Sequence, residues 1–175
     1  VLLNGKASAT VTASDGQSGL AADPSGTVAI DTSTVGPKTV TRTATDNVGH
    51  ATTRSCTTNV LYGYSGLLQP VNADGTSIFK LGSTVPLKFQ LTDTGGAPVS
   101  GAVAYVQVAK VTNAIDGTYV EAVSTSAADN GNQFRETTPG GYMFNLSTKS
   151  LSKGTWDVIV TLEDGTSYKT LISLK

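Results

Sequence analysis

Between Tyr62 and Ala102 the chain reads YGYSGLLQPVN over 62–72 and SIFKLGSTVPLKFQLTDTGGAPVSGA over 77–102. Apolar residues stand at every second position, with Val85, Leu87, Phe89 and Leu91 set against Pro86, Lys88 and Gln90. Period two belongs to a strand with one covered face, because successive side chains leave a pleated backbone on opposite sides. Glycine and proline interrupt the pattern every few residues and keep the strands short. Nothing in the stretch is placed to do chemistry. It predicts an all-β chain, with the odd-numbered set of this strand in the core. Pro86 lacks the N–H that a ladder needs, so its position is expected at an edge or a bulge.

Downstream, the same signals predict strands at Ser77–Lys80, Thr84–Leu91, Ala102–Lys110, Thr118–Ser124, Gly141–Ser147, Thr155–Leu162 and Ser167–Leu174. About seven strands make one immunoglobulin-like sandwich of roughly 100 residues. Trp156, Val158, Val160 and Leu162 alternate with Asp157, Ile159 and Thr161, which puts the even set in the core. Glu163-Asp164-Gly165-Thr166 joins the last two strands, and an Asp-Gly pair is a strong hairpin signal. Ser147 to Ser152 has the composition for one helical turn before Gly154.

Upstream, SATVTAS (8–14), the Gly/Asp/Pro-rich DGQSGLAADPSG (15–26), TVAID (27–31) and PKTVTRTATDNVGHATTRSCTTNV (37–60) yield about four strands, where a full sandwich needs about seven. Lys38–Thr45 and Ala51–Val60 form a hairpin around Asp46-Asn47-Val48-Gly49-His50, whose Asn and Gly tolerate positive φ. The shortage, together with an apolar opening at Val1-Leu2-Leu3, implies a first domain incomplete at its N-terminus. The expected fold is all-β, with two tandem immunoglobulin-like β-sandwiches spanning 1–61 and 62–175 and no long linker between them.

Charged residues make up 14% of the 175 and the net charge is -1, which leaves no field to attract nucleic acid or an anionic membrane. No apolar run approaches the roughly 20 residues of a membrane span, and Val1–Leu3 is too short for a signal-peptide core. Cys56 is the single cysteine, so no disulfide forms within the chain. Two readings of it stand: a partner in the missing strand, or a buried free thiol acting as a small hydrophobe.

A family resemblance adds to this. Tyr64-Ser65-Gly66-Leu67-Leu68-Gln69-Pro70-Val71-Asn72 followed by Lys80–Phe89, with Pro86-Leu87-Lys88-Phe89 at its heart, resembles the bacterial PxKF domain. Gly141–Leu146 and Leu162–Thr166 are similar to the end of that family, and the resemblance covers about 61–175. Ile30–Val40 and Ala44–Gly49 resemble bacterial immunoglobulin-like repeats. The resemblance implies a secreted or surface-attached bacterial setting beside hydrolase or adhesin domains, and it implies no catalytic residue.

The residues also define what to look for as sites. His50 is the only histidine and falls in a turn, with no Gly-x-Ser-x-Gly elbow, so nucleophilic catalysis lacks its parts. Asp116, Glu121, Asp157 and Glu163 fall on turns or on outward parity and read as solvated. Asp15, Asp23, Asp31 and Asp46 are candidate calcium ligands, although Asx turns account for aspartates in loops equally well. Tyr62, Tyr64, Tyr105, Tyr119, Tyr142, Trp156 and Tyr168 are the rings available to stack on a sugar; of these Trp156 reads as a core anchor, and Tyr62 with Tyr64 as packing at the domain junction. Lys88 is considered for an intramolecular isopeptide bond and set aside, because its parity is outward. The expectation is a non-catalytic spacer, stalk or docking module with no cofactor or metal, whose partners are neighbouring domains of its own polypeptide. The alternative is a polysaccharide-binding accessory module.

Overall fold

A computed structural model describes residues 1–175. It contains fifteen strands and no helix, and its sheets are β-sandwich-like. The chain divides into two compact units, Val1–Leu61 and Tyr62–Lys175.

The first unit holds β1 (Ser8–Val11), β2 (Leu20–Ala22), β3 (Gly26–Ala29), β4 (Gly36–Asp46) and β5 (Ala51–Val60). β1 pairs antiparallel with β3, and a second sheet runs β2-β4-β5. β4 and β5 form a long hairpin in register from Gly36 opposite Val60 to Thr45 opposite Ala51. On one face of it three cross-strand hydroxyl pairs, Thr39–Thr57, Thr41–Ser55 and Thr43–Thr53, each close at 2.8 Å. The other face carries Val40 opposite Cys56, Arg42 opposite Arg54 and Ala44 opposite Thr52. Little of the hairpin is buried, since the abundant threonine satisfies strand geometry without supplying apolar surface.

The turn at its tip is a three-residue loop in which the Asp46 N–H donates to the His50 carbonyl at 3.0 Å and Gly49 holds φ at 93°. Asn47 does not share the positive φ, so glycine alone supplies it. The loop between the last two strands closes the same way, with the Leu162 N–H on the Thr166 carbonyl at 2.9 Å and Gly165 at φ 88°.

In the second unit a four-stranded sheet runs β12 (Arg135–Thr138), β13 (Gly141–Ser147), β8 (Thr84–Thr92), β6 (Gly63–Tyr64). A six-stranded sheet runs β10 (Ile115–Asp116), β9 (Ala104–Thr112), β14 (Gly154–Leu162), β15 (Ser167–Leu174), β7 (Ser77–Phe79), with β11 (Val120–Glu121) also on β9. The two sheets meet through side chains of the predicted parity: Val85, Leu87, Phe89 and Leu91 from β8, and Trp156, Val158, Val160 and Leu162 from β14, are all buried. Tyr64 of one sheet stacks on Tyr168 of the other with ring centroids 4.0 Å apart. The Trp156 indole N–H donates to the Ser152 carbonyl at 2.8 Å, so the anchor's polar atom is satisfied.

Pro86 occupies the position its chemistry requires. Gln90 and Lys88 direct their backbone groups away from β13, toward Ser65 and Leu68. By alternation the missing N–H of Pro86 points to that same side, where β6 has already ended.

Several expectations are corrected. Of the strand expected over Thr118–Ser124, only Val120–Glu121 forms a ladder, and Ser124 makes a single bridge to Leu146. Ser147–Ser152 forms a turn, with the Leu151 N–H on the Thr148 carbonyl at 3.2 Å, rather than a helical turn. Leu20–Ala22, Gly63–Tyr64, Ile115–Asp116 and Arg135–Thr138 are strands without an alternation long enough to read. Cys56 is exposed, which overturns its reading as a buried hydrophobe.

Gly140 is a point where backbone freedom decides packing. Its φ is 70°, and a Cβ there lies 2.7 Å from the Pro98 Cβ and 2.8 Å from the Leu91 carbonyl oxygen. Gly140→Ala is expected to lower stability by more than about 1 kcal/mol, since both the conformation and the space exclude a side chain. An unchanged urea midpoint refutes this.

Candidate functional site

The candidate calcium ligands do not converge. Asp15 accepts from the Gln17 N–H at 2.6 Å, Asp23 from Ser25 at 2.8 Å, Asp31 from Ser33 at 2.9 Å, and Asp46 from Val48 at 3.0 Å. Each carboxylate thus closes an Asx turn in its own loop. The Ser25 hydroxyl and N–H hold Asp23 below the usual carboxylate range, and Ser33 does the same for Asp31. For Asp46, burial pushes upward, but bonds from the His50 and Val48 backbone and the His50 ring prevail and lower it. No three His, Cys, Asp or Glu side chains gather as a metal-binding group.

His50 lies at the exposed hairpin tip, its Nδ1 2.9 Å from Asp46 Oδ2. Cys56 lies on β5, which begins after His50, and its register partner is Val40. Lys88 sits on the outward face of β8 opposite Met143, as its parity predicts.

Of the seven candidate rings only Tyr105 is exposed, at 45%. Tyr62 and Tyr64, expected at a junction, are held inside the second unit. The Tyr62 hydroxyl donates to Glu163 at 2.6 Å and its N–H to Asp164 at 2.8 Å, while Tyr64 packs between Tyr168 and Phe89. Burial first, and then the hydrogen bond to Glu163, raise the Tyr62 phenol; burial raises that of Tyr64.

Ionisable groups do gather at one place that the sequence did not reveal. Asp157, read as solvated, is 2% exposed. The segment around β10 folds back over the outer face of β14 and sets the Tyr119 hydroxyl 2.6 Å from Asp157 Oδ2 and 3.0 Å from Asp116 Oδ2. Lys169, on the neighbouring strand, lies 2.6 Å from Asp116 and 3.4 Å from Asp157, with its ammonium 5.1 Å from the Tyr119 ring centroid. Asp157 Oδ1 is buried with no partner. The Lys169 hydrogen bond, then that of Tyr119, holds Asp116 below the usual range; Asp116 first and Tyr119 next push Lys169 up.

Burial raises Tyr119 too, so its phenol keeps its proton and donates. The hydrogen bonds of the cluster tie the 113–121 segment to the sheet. One signal could have pointed to it: aspartate is disfavoured inside a strand, so Asp157 between Trp156 and Val158 is a place to expect a specific partner.

A second tether works alike on the four-stranded sheet. The fully covered Asp129 carboxylate accepts from the Arg135 guanidinium, the Ser124 hydroxyl, and the Asn145 N–H at 3.1 Å. No helix is long and apolar enough to cross a membrane. No protein-family model matches the chain, and no curated protein matches it.

Proposed function

We propose that the chain is a non-catalytic, force-bearing spacer or docking module of a larger secreted or surface-attached bacterial protein. In this reading the two units are tandem immunoglobulin-like sandwiches. Residues 1–61 are a bacterial immunoglobulin-like repeat, and 62–175 are a PxKF-like domain.

The observation that supports it is the direction in which the last strand of the second unit, and the last residue of the first, pair. In the second unit β7 runs parallel to the last strand, with Ser77 opposite Ile172 and Phe79 opposite Leu174. The ladder extends through the Lys175 N–H on the Phe79 carbonyl at 3.0 Å and the Leu81 N–H on the Lys175 carbonyl at 2.9 Å. In the first unit Leu2 bridges Leu61 in parallel as well. Tension that reaches Leu2 and Leu61, or β7 and β15, pulls each parallel pair in opposite directions along its length. The ladder bonds lie across that direction and share the load, instead of opening one at a time. A carbonyl ladder in shear resists extension without any binding pocket.

Single-molecule pulling of the full chain through defined anchor residues tests this, because forced unfolding reports the unfolding barrier. The second unit is expected to break at clearly higher force when held at Tyr62 and Lys175 than at Gly154 and Lys175. The latter pair of anchors unzips β14 from β15 at their open end, where Gly154 faces Leu174. Equal forces in the two geometries overturn the proposal.

A further inference from the structure

The first unit joins an unpaired strand edge to an open cleft. β5 is the last strand in the order β2-β4-β5 and pairs in a ladder only with β4. Its end is covered: the Val1 amine donates to the Asn59 carbonyl at 2.9 Å, and the Leu61 N–H donates to the Val1 carbonyl at 2.9 Å. From Ala51 to Thr58 no strand lies on the outer side, so a row of N–H and C=O groups is left ready to pair.

The inner face of this edge lines two adjoining clefts of about 420 and 470 Å³, between β1 with the loop after it and the β4–β5 hairpin. Val40 and Cys56 form one rung of the floor, and Arg42 and Arg54 the next. Two guanidinium groups directly opposite repel each other, and neither forms an ion pair. Arg42 reaches only the Thr41 carbonyl, at 3.3 Å. The acids lining the cleft are Asp15 and Asp46, with His50 beside them. Both are engaged in their own turns, Asp15 by Gln17 and Ser18, and Asp46 by Val48 and His50.

We infer that this edge accepts an extended acidic peptide, added as a strand beside Ala51–Thr58. Its alternate side chains enter the cleft, with an Asp or Glu meeting Arg42 and Arg54 and an apolar residue meeting Val40 and Cys56. Backbone bonds along the edge supply affinity, and the arginine rung with the apolar rung supplies register and specificity. A peptide is favoured over a polysaccharide because no Phe, Tyr or Trp lines the cleft, whereas the edge offers unpaired backbone groups. The inference does not rest on the spacer proposal, since it concerns one strand edge and its cleft, whatever the load on the termini.

The probe is a ten-residue synthetic peptide with Thr at outward positions and Glu alternating with Val at inward ones, labelled with a fluorophore and titrated into the full chain. Saturable binding is expected, and it weakens between about 0.1 and 1 M salt as screening shortens from roughly 10 to 3 Å. Replacing both Arg42 and Arg54 by Glu is expected to reverse preference, by at least about tenfold, toward the peptide with Lys in place of Glu. Both arginines are exposed, and an unchanged melting temperature confirms that the variant folds. Peptides with a thiol-activated Cys at successive positions supply a second readout, in which one position labels Cys56 faster than its neighbours. Uniform labelling overturns the inference, as does preference unaltered by charge reversal. So does dextran sulfate binding through the arginines while the peptide does not bind, or self-association of the chain through β5.

Discussion

Phe89→Ala lowers the unfolding free energy of the second unit by about 3–5 kcal/mol, the range for deleting a buried aromatic side chain and leaving a cavity. Phe89 is 1% exposed and sits where both sheets and the 126–134 segment meet. Its ring centroid lies 4.8 Å from Phe134 edge-on, 5.2 Å from Tyr142 in a stack and 5.2 Å from Tyr64. Truncation removes apolar burial and three ring contacts together, and Tyr64 loses part of the support for its stack on Tyr168. Urea denaturation followed by the fluorescence of Trp156, the only tryptophan, reads this unit directly. Ile78→Ala is the control: Ile78 is 55% exposed, and its removal is expected to change stability by no more than about 0.5 kcal/mol. Coincident midpoints for the two variants refute the core assignment.

Asp129→Ala is the second large effect, expected at about 3 kcal/mol, the low end for breaking a buried ion pair. The carboxylate is fully covered, but the Arg135 side chain keeps 26% exposure and recovers some hydration once its partner is gone. The Asn145 N–H and the Ser124 hydroxyl lose their acceptor as well. Asp129→Asn keeps an acceptor and removes the charge, so a smaller loss is expected. Amide hydrogen exchange supplies the local readout. The Thr125 N–H, bonded to the Asn145 carbonyl at 2.9 Å, is expected to exchange faster in the alanine variant while the Val160 amide in β14 keeps its protection. Wild-type stability and exchange in both variants refute the tether.

The long strands were legible because alternation over seven or more residues has one solution when one face must be dry. β13 runs over Gly141–Ser147 and β15 over Ser167–Leu174, as the pattern predicts, and β8 and β14 differ from it by one residue at an end. Two-residue strands such as Gly63–Tyr64 and Ile115–Asp116 carry no period and exist only because a neighbour is there to pair with. Cys56 shows a different limit. Its parity on β5 was legible, but burial at that parity requires a cover, and the cleft over that face is open.

The candidate sites divide in the same way. An Asx turn is a bond between a carboxylate and an N–H two residues on, so it follows from neighbours in sequence; Asp23-Pro24-Ser25 and Asp31-Thr32-Ser33 announce it. The Asp157 cluster joins residues 116, 119, 157 and 169 from three separate segments, and the Asp129 tether reaches back from Asn145. No local pattern encodes those meetings.

By itself, the amino-acid order determined where the long strands run, which side of each is apolar and where the glycine-closed turns fall, because these depend on backbone sterics and on the two-residue pleat. Only the tertiary structure decided which outward residues stay outward. The 113–121 segment buries Asp157, while the open face of the β4–β5 hairpin leaves Arg42, Arg54 and Cys56 exposed. The physical reason is that parity assigns a side chain to a face, and burial depends on what else in the folded chain comes to cover that face.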